Sequence, residues 1–362
     1  MTTLRRRLFT IPAYTALFVV AVVSLPVTLP IAASVDLARR MPWGATRSIL
    51  FFVWYLVCEV AGILATSALW VRASIGTNVP RDRYLGLHFR LQCWWARSLL
   101  RGASTVFGMR VEVEGDDDIG SGPIVLFMRH ASVADTVLPA VLLSDRHGLR
   151  LRYVMKRDLL WDPCLDIVGN RLPNYFVRRA SGEAGQEISE IARLAEDIGP
   201  GEGVLIYPEG TRFTQQKRSA ILERLEKGND PLLAARARGL RHLLPPRLGG
   251  VLGLLECRPD ADVVFCAHVG FDKATRFSEF LDGGLVGAAV RVVFWRVPAA
   301  DVPLGSEARI EWFFEQWARV DSWIARHRED GSSARWLDSE PKRAGAAAAQ
   351  RPHEDASAHV AR

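Results

Sequence analysis

Two long apolar runs near the N-terminus restrict this chain more than any other feature. Residues 11–35 (IPAYTALFVVAVVSLPVTLPIAASV) carry no charge, and residues 49–71 (ILFFVWYLVCEVAGILATSALWV) carry only Glu59. A helix crosses a bilayer with about 20 apolar residues, so each run is long enough to span one. Pro26 and Pro30 interrupt the first run and favour a kink or partial insertion there. A cleaved signal peptide is the rival reading, but its apolar part is usually about 7–15 residues long, and here a second run follows at once. For the second run the rival is a buried core helix. Its length and its apolar sides favour the membrane, with Glu59 turned to a partner helix or an interface. Arginines flank the runs on every side, and the segment after residue 71 is the richest, with Arg72, Arg81, Arg83, Arg90, Arg97 and Arg101. The expectation is a membrane hairpin over residues 1–75, with spans of about 11–35 and 49–71 and both ends in the cytoplasm.

The remainder has the composition of a globular domain. Charged residues make up 24% of the 362-residue chain and hydrophobic ones 49%, which leaves material for a large core. A net charge of +6 favours anionic partners: a membrane surface, a phosphorylated substrate or nucleic acid. Two apolar runs and no recognisable nucleic-acid-binding motif argue against the last of these. The five cysteines are scattered without metal-ligand spacing, as suits reduced, buried thiols and no metal site. Residues 84–108 alternate apolar and basic positions at helical spacing. They read equally as a helix lying on a bilayer surface or as a core helix with a solvated basic side. From about residue 331 the chain turns to Ser, Ala, Gly, Pro and charge, so 331–362 reads as a disordered tail and 76–330 as the globular domain.

Within that domain short strand patterns alternate with helical ones. Strands are expected at 109–115, through IVLFM, in RLRYVMK, in YFV, in VLIYP, at 263–271 and at 290–297. Helices are expected at 133–143, 183–198, 219–240 and 307–327. This order gives an α/β fold, a mixed or mostly parallel sheet with flanking helices, behind the N-terminal hairpin.

Two strand ends carry unusual polar groups. IVLFM runs into Arg129 and His130, with Asp135 within a turn; VLIYP runs into Glu209, Gly210, Thr211 and Arg212. Ligands gather beyond the carboxyl ends of strands in α/β sheets, so both turns can face one crevice. A histidine held by a carboxylate has a fixed tautomer and accepts a proton near neutral pH. Gly210 lets backbone approach a ligand, and Arg212 offers a planar fork to phosphate, with Arg178 or Arg179 at the end of YFVRR as a further cation. Either turn by itself is equally a surface turn with solvated charges.

Together these blocks resemble the glycerolipid acyltransferases of the lysophosphatidic acid acyltransferase type. That family has an N-H-x4-D block, a block with an arginine after an apolar strand, an E-G-T-R block and a proline-bearing block. This chain has R-H-A-S-V-A-D at 129–135, N-Y-F-V-R-R at 174–179, Y-P-E-G-T-R at 207–212 and L-L-P-P-R at 243–247, in that order. Arg129 stands where the family has Asn. The resemblance implies transfer of a fatty acyl group from a thioester, acyl-CoA or acyl carrier protein, to the free hydroxyl of lysophosphatidic acid or a related lysophospholipid. It implies His130 as general base and Asp135 as its orienter, with Arg179 and Arg212 on the acceptor phosphate and Glu209, Gly210 and Thr211 completing that turn. Backbone N–H groups near Gly210 or after His130 are the implied oxyanion donors. No cofactor, metal or covalent acyl-enzyme is implied; the donor is a substrate. No G-x-S-x-G elbow is present, which argues against a hydrolase of that kind. The implied location is an integral membrane protein with its catalytic domain on the cytoplasmic face. The alternative from another class is an inactive lipid-binding membrane protein of the same fold.

Overall fold

A computed structural model of the chain describes residues 2–40, 42–75, 80–120, 122–177, 184–228, 230–272, 279 and 281–333. The apolar runs form α1 (Thr3–Ala38) and α2 (Gly44–Ser74), each long and apolar enough to cross a membrane. α1 continues through Pro12, Pro26 and Pro30. Asp36 near its end caps α2, accepting from the Ala45 and Thr46 N–H groups at 3.0 and 2.8 Å. That satisfies N–H groups a helix start leaves unpaired and closes the hairpin.

α3 (Arg81–Phe107) follows, burying Cys93, Ala96, Leu99, Leu100, Ala103 and Phe107. Of the two readings left open for residues 84–108, this buried stripe supports the core helix. The sheet then takes β1 (Arg110–Glu114), β2 (Ile124–Met128), β3 (Arg150–Lys156), β4 (Tyr175–Val177), β5 (Glu202–Ile206), β6 (Asp262–Val269) and β7 (Ala289–Val297). Their order is β1-β7-β6-β2-β5-β3-β4. Every neighbouring pair is parallel except β6 with β7. β2, β3, β4, β5 and β6 therefore end on one edge, and β7 and β1 begin there. The expected mostly parallel sheet with flanking helices is what forms.

β2 lies at the centre, and all five of its residues are buried. Strand alternation sends Ile124, Leu126 and Met128 to the face covered by α3 and the segment 134–145. Val125 and Phe127 go to the opposite face, under α5 (Ala184–Arg193), α8 (Leu248–Cys257) and α9 (Ser306–Ser333). A strand buried on both sides needs an apolar residue at every position, which is why IVLFM has no polar member.

The helix expected at 133–143 is instead a 3₁₀ turn, Ala134–Val137, followed by a wider π-type turn, Ala140–Asp145. The single helix expected at 219–240 is α6 (Gln215–Glu226) and α7 (Pro231–Gly239). Pro231 lacks an N–H and starts a helix better than it continues one, and Asp230 accepts from the Leu233 N–H at 2.8 Å as its cap. α4 (Pro163–Gly169) and α8 arise where no helix was expected. α9 runs three residues past 330, and the rest of the expected tail, 334–362, lies outside the described residues.

The hairpin meets the domain at widely separated points. Its tip packs on the segment before β7, where a Cβ on Gly44 would fall 2.7 Å from the Gly283 backbone nitrogen. Its open end meets α4, which follows β3: Arg6 Nη2 and Arg7 Nε reach Asp166 at 2.5 and 3.0 Å. Between these points Phe51 packs on Phe107, Tyr55 donates to Asp162 at 2.7 Å, and Glu59 accepts from Trp95 at 2.8 Å. The hairpin thus packs along α3, between the segment before β7 and α4.

Candidate active site

β2 delivers His130 to the sheet edge where β2 and β5 end, and the turn after it folds back onto the ring. His130 Nδ1 lies 3.0 Å from Asp135 Oδ1. Asp135 Oδ2 accepts from the Ala131 and Ser132 N–H groups at 2.7 and 2.8 Å. The His-x4-Asp spacing is therefore a local ring in which the carboxylate caps the turn it belongs to. Burial alone would raise the Asp135 carboxyl, but the hydrogen bond and charge of His130, the charge of His268 and the Ser132 N–H outweigh it and hold it below the ordinary range. An ionised Asp135 fixes the His130 tautomer: Nδ1–H donates to it, and Nε2 keeps its lone pair. The His130 ring rests against Tyr207, centroids 4.6 Å apart, and its side chain keeps 12% exposure while Asp135 keeps none.

β5, the neighbour of β2, brings the second turn to the same place. Glu209 is buried, and its Oε1 accepts from the His130 backbone N–H at 2.7 Å. Its Oε2 accepts from the Leu244 N–H at 2.9 Å, in the proline-bearing block. The Phe213 N–H donates to the His130 carbonyl at 2.9 Å, closing the turn onto the histidine from the other side. Gly210 has φ +64, the left-handed region, and a Cβ there would lie 2.6 Å from Arg247 Nε. Glycine thus meets two demands at once, a left-handed backbone and room for the arginine stem. Lys217 Nζ donates to Thr211 Oγ1 and to the Arg212 carbonyl, both at 3.0 Å.

The structure joins His130, Asp135, Glu209, Gly210, Thr211 and Arg212 in one cluster at the ends of β2 and β5; Arg178 and Arg179 lie outside the described residues. Ala131 and Ser132 N–H groups are bonded to Asp135, and the Gly210 N–H to the Tyr207 carbonyl at 2.9 Å. These three backbone donors are thus already committed. A groove of about 370 Å³ elsewhere, lined by Leu100, Arg101, Val111 and Val141 among others, includes none of the motif residues.

His268 is a neighbour that sequence reasoning did not single out, while Arg129 and Arg247 were noted only as members of their blocks, without a role. Arg129 is fully buried; Nη1 donates to the His268 carbonyl and Nη2 to Asp272 Oδ1, each at 2.5 Å. The loop therefore tolerates arginine where the family has Asn because the guanidinium leaves the loop and anchors it to the end of β6. A charge immediately after an apolar strand was the available signal: such a residue is buried only with a partner.

Residues 110–249 match a family model described as Acyltransferase. Over 170 residues the chain is 26% identical to a 1-acyl-sn-glycerol-3-phosphate acyltransferase of Pseudomonas aeruginosa, an alignment covering 47% of this chain and 60% of that protein. The crystal structure of the 1-acyl-sn-glycerophosphate (LPA) acyltransferase PlsC from Thermotoga maritima superposes with a TM-score of 0.50 at 14% identity, covering 80% of this chain and 97% of the other. At that identity the likeness is one of fold.

Proposed function

We propose that this chain is a glycerolipid acyltransferase of the lysophosphatidic acid acyltransferase type, a membrane-bound enzyme that acylates a lysophospholipid; the acyltransferase match over residues 110–249 and the likeness to a 1-acyl-sn-glycerol-3-phosphate acyltransferase support the reading. The acceptor is lysophosphatidic acid or a close relative, and the donor is an acyl thioester, acyl-CoA or acyl carrier protein. The observation that carries the reading is His130, with Nδ1 tied to a buried carboxylate at 3.0 Å and Nε2 left to accept a proton. The acceptor hydroxyl gives its proton to Nε2 as its oxygen attacks the thioester carbonyl. The carbon–sulfur bond breaks, the thiolate leaves, and the proton returns from the imidazolium to the sulfur. Asp135 stays ionised throughout and stabilises the imidazolium.

Arg212 and Arg179 bind the acceptor phosphate, and Glu209 keeps the histidine loop and the E-G-T-R turn in register. The apolar hairpin holds the domain against the lipid that contains the acceptor, on the cytoplasmic face, where acyl thioesters are available.

Membranes carrying the protein, given radiolabelled acyl-CoA and lysophosphatidic acid, should form the diacyl product. His130→Ala should lower the rate by at least ~10²-fold while the protein still accumulates in membranes. Undiminished transfer by that variant would remove the histidine from the mechanism. Arg212→Ala should raise KM for lysophosphatidic acid more than it lowers kcat, and an acceptor dependence equal to wild type would dispose of the phosphate role.

A further inference from the structure

Asp135 faces two imidazoles. His268, the seventh residue of β6, is fully buried, with Nε2 3.5 Å from Asp135 Oδ2 and 3.1 Å from the Arg129 carbonyl oxygen. The other ring nitrogen, Nδ1, is buried without a hydrogen-bond partner. The proton therefore belongs on Nε2, where the acceptors are.

The contact is reciprocal. His268 Nε2–H donates to the Arg129 carbonyl, and Arg129 Nη1 donates to the His268 carbonyl at 2.5 Å. Arg129 Nη2 continues to Asp272 Oδ1 at 2.5 Å, and Arg328 of α9 reaches the same oxygen at 3.0 Å. The carbonyl that His268 holds belongs to the peptide unit whose N–H, that of His130, is bonded to Glu209 at 2.7 Å. One peptide plane is thus gripped from both sides, its N–H by Glu209 and its C=O by His268.

An apolar side chain would fill this buried position without leaving a ring nitrogen unpaired. Here histidine's one N–H points between the carbonyl of the residue before the proposed base and Oδ2 of Asp135, the carboxylate that holds that base.

We propose that His268 is a positioning residue for acyl transfer: its Nε2–H orients the 129–130 peptide and flanks Asp135 opposite His130, and Arg129 locks it in place. The proposal rests on His130 being the base. The groups that face His268 are Asp135 and Arg129 on the β2 loop and Asp272 beyond β6; the Cys266 side chain is buried beside Asp135. Distortion of the His130–Asp135 pair slows the proton transfer without touching either substrate, so the effect belongs in kcat.

The test compares two amides. Glutamine places its NH₂ close to where Nε2–H stands; asparagine is too short to reach the Arg129 carbonyl. Both are purified in detergent, checked for a monodisperse size-exclusion profile, and assayed with acyl-CoA and lysophosphatidic acid beside wild type and H130A. H268Q should keep kcat within about threefold of wild type, while H268N should lose roughly 10- to 100-fold in kcat at an unchanged KM for both substrates. Equal kcat for H268N and H268Q overturns the proposal, and so does a loss in H268N that follows the folded fraction alone. Full activity in H130A would instead overturn the base assignment on which it stands, so the two failures are distinguishable.

Discussion

At the scale of single residues, Glu209 has both carboxyl oxygens committed to backbone, Oε1 to the His130 N–H and Oε2 to the Leu244 N–H. Burial raises its pKa, the two backbone donors and Arg129 lower it, and burial wins, pushing it up to about 8. In the unfolded chain a glutamate titrates near about 4.3. A folded pKa above the unfolded one gives a stabilisation that is complete below the unfolded value and fades as pH rises toward the folded one. Wild type should therefore lose more thermal stability than Glu209→Gln between pH ~5 and ~8. Unfolding midpoints in detergent at several pH values would measure this, and parallel curves for the two proteins would contradict it. His130 and Asp135 could be paired from sequence because they lie five positions apart and one turn joins them. The partners of Glu209 lie 79 and 35 positions away, and Arg129 meets the His268 carbonyl across 139. Such pairings exist only once β2, β5 and β6 stand side by side, so spacing carried no sign of them.

At the scale of elements, the seven-residue α4 holds the hairpin to the domain. Asp162 caps it, accepting from the Leu165 N–H at 2.9 Å, and also accepts from the Tyr55 hydroxyl. Asp166 is fully buried and receives Arg6, Arg7 and Asn170, while the Arg7 Nη2 adds its carbonyl at 3.0 Å. Asp166→Ala strips a buried Arg6 of its counter-charge, a change that typically costs ~3–5 kcal/mol. The start of α1 should then detach. Trypsin in mild detergent should cut after Arg5, Arg6 or Arg7 far faster in this variant than in wild type, and equal rates would show that α1 is held by other contacts. The strands were legible because each is an apolar run closed by turn residues. α4 was not, because a helix of two turns shows too little periodicity to be told from the turns around it. Its weight comes from partners about 160 residues earlier in the chain.

At the scale of the whole molecule, the two apolar runs, the most legible feature of the chain, settle that long helices form but not where they lie. The exposed side of α1 is apolar along much of its length: Leu8, Phe9, Val19, Val20, Val23, Val27 and Ile31 all face outward. A continuous apolar surface of this kind calls for cover by lipid or by a partner. The hairpin tip packs against Gly283, ahead of β7, and the opposite end is bonded to Asp166 after β3. A tip held against the domain cannot also stand across ~30 Å of hydrocarbon from it. With these contacts intact, the tip stays on the same side of any bilayer as the start of β1. Arg39→Cys at the tip and Arg110→Cys at the start of β1 place thiols on exposed positions. Four of the five native cysteines are buried and Cys257 is half-buried, so the parent protein supplies the background. An impermeant maleimide should label both new thiols from the cytoplasmic side, in inverted vesicles, and neither in intact cells. Labelling of residue 39 from outside with 110 from inside would mean that the tip leaves Gly283 and the hairpin crosses the bilayer.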